Sequence, residues 1–203
     1  MVFREACICL GRMTVSVFEE LERALRAPGY SLDHPESHAV QIVRTEADVT
    51  SDDEFESIGE QLPLSRAELL KRIDQRRPTM VVFWGPDWYT LDCTIYFGTT
   101  ADLLSCELGA MVGEPLETPT TAALEGFFWH HAETGNGVGL MLDPDGLTEE
   151  YDWRDFFLAG GRFDGPLPRM LVVAEPLVAQ IDDELLASSR VERRAGFVVI
   201  RAT

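Results

Sequence analysis

The chain is 203 residues long and 45% apolar, which suits one compact domain with a sizeable core. Thirty-five acidic residues against seventeen basic give a formal charge of −18, a field that repels nucleic acid and anionic membranes and draws basic proteins. No apolar stretch approaches the roughly 20 residues of a membrane-spanning helix, so the expectation is a soluble chain without a membrane partner.

The opening residues, MVFREACICLGR, carry Glu5 inside a short apolar run, which argues against an export leader. Met13 begins a better-patterned segment. Residues 1–12 are therefore set apart as an upstream extension or a misassigned start, and 13–203 are taken as the single domain. Cys7, Cys9, Cys93 and Cys106 follow no zinc or redox spacing. They read as free, small apolar residues in a reducing cytoplasm.

Residues 15–27 place Val17, Phe18, Leu21, Ala24 and Leu25 on one helical face, and Pro28-Gly29 ends the helix. Residues 38–44 alternate as a strand. Residues 46–60 hold seven acids and no base, with Phe55 and Ile58 able to pin a short helix or ordered loop. Ser65 and Glu68 have capping-box spacing and open a helix to about residue 75. Residues 79–84 and 89–97 flank the turn Gly85-Pro86-Asp87 as an antiparallel hairpin. Pro119 opens a helix closed by Gly135, and residues 137–142 form a strand. Residues 151–159 form a short helix, and the chain ends as strand 169–174, helix 176–188 and strand 196–201. This pattern predicts an α+β fold: a mixed, mainly antiparallel sheet of about five to six strands with helices packed mainly on one face.

Motifs for chemistry are weak. His130 and His131, with Glu133, are the candidate acid/base group, but neighbouring helical residues diverge by about 100°, so a shared metal is not expected. Asp143, Asp145 and Gly146 resemble the start of a calcium loop, yet Leu147 stands where a third ligand belongs and Arg154 occupies the twelfth position. Gly135, Gly137 and Gly139 precede a strand instead of opening a helix, so they lack the amide-lined start that holds phosphates. No metal and no cofactor is expected.

Acids interleaved with aromatics remain. Asp87, Trp88 and Tyr89 lie at the hairpin, and Glu150, Asp152, Trp153 and Asp155 follow a turn. With Asp52, Asp53, Glu54 and Glu56 they form the candidate partner-binding surface, in which carboxylates steer a basic partner and Trp88, Tyr89 and Trp153 anchor it. The functional expectation is an acidic cytoplasmic binding or inhibitor protein that occludes a basic protein partner, of the immunity-protein or antitoxin type. The alternatives are a small enzyme, such as a hydrolase using His130 and His131 with nearby carboxylates, and a structural or assembly component.

Overall fold

A computed structural model describes residues 5–45, 48, 58–86, 89–109, 118–143, 146 and 151–202. In chain order these form β1 (Glu5–Leu10), α1 (Val15–Arg26), β2 (Val40–Val43), β3 (Gln61–Leu64), α2 (Arg66–Asp74), β4 (Thr79–Trp84), β5 (Thr90–Phe97) and β6 (Asp102–Gly109). There follow α3 (Thr118–Glu133), β7 (Gly137–Asp143), a π-helical turn (Asp155–Ala159), β8 (Met170–Ala174), a 3-10 helix (Glu175–Gln180), α4 (Asp183–Ala187), β9 (Arg190–Arg194) and β10 (Phe197–Arg201).

All ten strands join one sheet in the order β3-β2-β4-β5-β6-β1-β7-β8-β10-β9. Each neighbouring pair is antiparallel. The expected mixed sheet of five to six strands is therefore corrected to ten antiparallel strands. Four strands escaped the pattern reading, each for its own reason. β1 lies in the segment set apart as an extension, β3 contains Pro63, β6 falls between the predicted elements, and β9 (RVERR) is charged throughout except for Val191.

Residues 40–109 build the block β3-β2-β4-β5-β6, residues 137–201 build β7-β8-β10-β9, and β1 lies between the two. The segment set apart in the sequence thus supplies the seam of the sheet. Its residues alternate between layers. Ala6, Ile8 and Leu10 face Phe18, Leu21 and Leu25 of α1 and Leu124, Phe127 and Phe128 of α3. Cys7 and Cys9 face an aromatic layer of Trp153, Phe156, Phe157 and Phe163. Helices cover both faces, unequally: α1, α2 and α3 on one, and the short helical segments of residues 153–187 on the other. Among the described residues no helix is long and apolar enough to cross a membrane.

Local chemistry explains several joints. The Ser65–Glu68 capping box forms at the start of α2, with each partner satisfying the other's backbone amide. A side chain at Gly139 would lie 2.3 Å from the Phe157 ring, and one at Gly137 would lie 2.7 Å from the Ala132 backbone. These two glycines make the start of β7 a packing slot. The predicted helix 176–188 splits into the 3-10 helix and α4, because Ile181 bridges to Phe163 in between. The outer strands are guarded by Pro63 at one edge and by exposed Arg190, Glu192, Arg193 and Arg194 at the other.

One buried carboxylate ties the seam to its surroundings. Asp102, at the start of β6, accepts from Arg76 on both oxygens (2.8 and 3.1 Å), from the Met13 amide (2.7 Å) and from the Gly98 amide (3.2 Å). Arg76 also donates to the Gly98 carbonyl (2.7 Å) and stacks over Phe97. The α1–α2 contact uses the same device: Glu22 binds Arg66 (2.6 Å) and Arg26 (2.8 Å).

Two outcomes follow from this architecture. A chain beginning at Met13 lacks the seam and exposes the edges of β6 and β7, so circular dichroism and gel filtration should find it unfolded or aggregated. Asp102→Asn leaves the Arg76 charge without its partner and should lower unfolding free energy by about 3 kcal/mol, read from urea midpoints.

Candidate functional site

The strand register places acids opposite one another across four adjacent strands. Asp92 of β5 pairs with Glu107 of β6, Glu107 with Glu5 of β1, and Glu5 with Asp143 of β7. Directly opposed residues share a face, and their Cβ atoms lie about 4.5–5.5 Å apart. The four carboxylates therefore form one transverse row on the face opposite α1–α3. The row continues through Val82 to Gln41 of β2.

Asp143 is buried, Glu5 and Asp92 are half-buried, and Glu107 is exposed. Glu5 accepts from the Ser105 hydroxyl (2.7 Å) and the Cys7 thiol (2.9 Å). Asp92 accepts from Thr90, while its Oδ1, shielded from solvent, has no hydrogen-bond partner. Gln41 Oε1, in the same row, is shielded and unpartnered too. Among the described residues no arginine or lysine forms an ion pair with Glu5, Asp92 or Glu107. Arg154 instead stacks 5.4 Å from the centre of the Tyr96 ring, on the same face.

The titration of the row reflects this crowding. Burial pushes the Asp92 carboxyl above its ordinary range. Loss of solvent raises Glu107 as well, and the Glu5 and Asp92 charges add to it. Like charges directly opposed across strands are destabilising. The arrangement is a concentration of negative charge in which Glu5, Asp92 and Glu107 have no basic ion-pair partner among the described residues.

Of the residues expected to bind a partner, Asp52, Asp53, Glu54, Glu56, Asp87, Trp88 and Glu150 lie outside the described residues. Tyr89 is half-buried and closes the hairpin, its carbonyl accepting from the Gly85 amide (2.7 Å). Asp152 and Asp155 are exposed, and Asp152 caps the turn by accepting from the Arg154 and Asp155 amides (2.9 and 3.1 Å). Trp153 requires a correction. It is 2% exposed and packs 5.0 Å from the Phe163 ring centre, between Tyr151 and Phe157, so it anchors the core and presents no ring to a partner.

The histidines behave differently from the helical-wheel expectation. His131 Nε2 lies 3.2 Å and His130 Nε2 3.8 Å from Glu20 Oε2 of α1, so adjacent rings reach one carboxylate. Burial lowers the His131 pKa, Glu20 opposes that, and the His130 charge reinforces it. Glu133 is exposed at the helix end. Among the described residues no serine, threonine or cysteine hydrogen-bonds to either imidazole, and no group of three or more His, Cys, Asp or Glu side chains is placed to hold a metal.

All four cysteines are free and buried. Cys93 and Cys106 oppose each other across β5 and β6 with sulfurs 3.3 Å apart. Burial pushes the Cys9 thiol up to about 12, and desolvation together with Glu5 raises Cys7 further above the ordinary thiol range. Such thiols are poor nucleophiles.

The row was missed in the sequence because it exists only through register. The available signal was an acid within each of four largely apolar strands, at Glu5, Asp92, Glu107 and Asp143. Comparison with protein-family models, curated proteins and solved structures finds no match for this chain.

Removing charge from the row should stabilise the fold. A carboxyl whose folded pKa is raised contributes stability below its unfolded pKa, and that contribution is lost as pH rises through the folded value. Glu107→Gln and Asp92→Asn should therefore each gain about 0.2–1 kcal/mol at pH 7, with the gain vanishing near pH 4, as measured by urea unfolding at both pH values.

Proposed function

We propose that the protein binds a basic protein partner and occludes it, with the carboxylate row as the central contact. The observation that carries this reading is the row itself: Asp92, Glu107 and Glu5 stand in register without a basic ion-pair partner among the described residues. The −18 charge steers a cationic partner toward the molecule, and the row gives its lysine or arginine side chains a defined place to bind. A guanidinium laid between opposed carboxylates supplies the missing counter-charge and the missing donor for Asp92 Oδ1. Exposed Asp152 and Asp155 add to the negative charge of the expected interface. Trp153 takes no part in it.

An immunity-protein or antitoxin role, in which an acidic protein covers the working surface of a cationic toxin, suits this chemistry. The four reduced thiols suit a cytoplasmic setting. The same field disfavours nucleic acid as a partner. An enzymatic role for His130 and His131 has the Glu20 contact in its favour, but no nucleophile or metal group joins it among the described residues. An assembly role calls for an apolar patch, and the large apolar side chains exposed among the described residues are Ile58 and Val191.

The test is titration with a fluorescein-labelled arginine-rich peptide across rising salt. Affinity should fall steeply with ionic strength, and Asp92→Asn/Glu107→Gln should weaken binding at least tenfold. The charge-matched control Asp183→Asn/Glu184→Gln, remote in sequence from the row, should change it little. Equal losses in both double variants would reduce the effect to net charge and overturn the assignment to the row.

A further inference from the structure

The helix-covered face carries a second feature, independent of the carboxylate row. Between the first turns of α3 and the ends of β7, β8 and β10 lies a cavity of about 200 Å³ lined by Thr121, Ala122, Glu125, Leu142, Arg169, Met170 and Arg201. That is roughly the liquid volume of seven waters, room for a small molecule. Register brings the two arginines together: Arg201 pairs with Met170, the residue after Arg169.

Many arginines of the chain hold acids: Arg76 holds Asp102, Arg72 and Arg77 hold Asp48, Arg66 holds Glu22, and Arg162 holds Asp182. Among the described residues the guanidinium groups of Arg169 and Arg201 form no ion pair and no hydrogen bond, although acids outnumber bases two to one. Each guanidinium offers five donors in a planar fork matched to a carboxylate. Arg201 is half-buried, which strengthens any charge pairing it makes.

The remaining lining selects among anions. Ala122, Leu142 and Met170 supply an apolar wall, so the cavity suits an anion with a hydrocarbon body. Glu125, whose Oε1 accepts from the Trp129 indole (3.2 Å), adds one negative charge to the rim and disfavours a multiply charged ligand. We infer that the cavity binds a small organic monoanion, its carboxylate held by Arg169 and Arg201 and its apolar body resting on Leu142 and Met170.

Isothermal titration of the full chain with hexanoate, acetate and inorganic phosphate tests this. Hexanoate should bind, acetate at least tenfold more weakly and phosphate more weakly still. Arg169→Gln and Arg201→Gln should each reduce hexanoate affinity at least tenfold, while Arg162→Gln should leave it unchanged. Thermal unfolding of each variant without ligand checks that the fold persists, and a hexanoate-dependent rise in Tm, seen in the parent and lost in the two variants, provides a second readout. Absence of hexanoate binding, binding unaffected by either arginine substitution, or phosphate binding as tightly as hexanoate would overturn the inference.

Discussion

The Asp102 carboxylate is the constraint on which the rest of the sheet depends. It stands opposite Leu10 at the end of β1, takes the Arg76 guanidinium from the end of α2, and caps the backbone at Met13 and Gly98. Four chain segments meet at one buried group that is 1% exposed. Burying a charge is tolerable only when its partners are all present, so the knot forms completely or not at all. Arg76 adopts a left-handed backbone (φ 55°) to reach it, a strain that the four-way contact holds in place.

That knot also makes the carboxylate row possible. The row exists because β1 is locked between β6 and β7 in a single register, and a slip of one residue would turn Glu5 toward the helices and the flanking apolar residues toward the row. The strongly buried layers on both sides of β1 fix that register through Ile8 and Leu10 on one face and Cys7 and Cys9 on the other. Apolar packing thereby holds like charges together against their repulsion, the arrangement expected where binding is favoured at the expense of stability.

The parts of the fold legible in the sequence were those determined locally. The α2 capping box needs only Ser65 and Glu68, and the β4–β5 hairpin needs only its turn and two apolar runs. β1 was not legible, because a strand buried on both faces shows no alternation, and the better-patterned segment begins only at Met13. β9 failed for the opposite reason: both of its faces are exposed, and its pairing follows from the two-residue Ala195-Gly196 turn, with φ of 52° and 83°. Asp92 lies in a strand the pattern predicts, but its neighbours Glu107 and Glu5 belong to strands that no local pattern announces. The convergence of His130 and His131 on Glu20 likewise required the packing of α1 on α3.

The position of β1 has a consequence for how the protein is made. Its partners begin at residues 102 and 137, so β1 is made well before the two strands it must join. At about 5–20 residues per second, the ribosome needs on the order of ten seconds to supply β7. Until β6 is made, the sequence Ala6-Cys7-Ile8-Cys9-Leu10 is sticky on both sides and unpaired along both edges. The block β2–β6 is able to assemble first and offer β6 as a template, leaving one edge of β1 open until β7 arrives. Chaperone demand during synthesis is therefore written into the strand order, and it falls on β1.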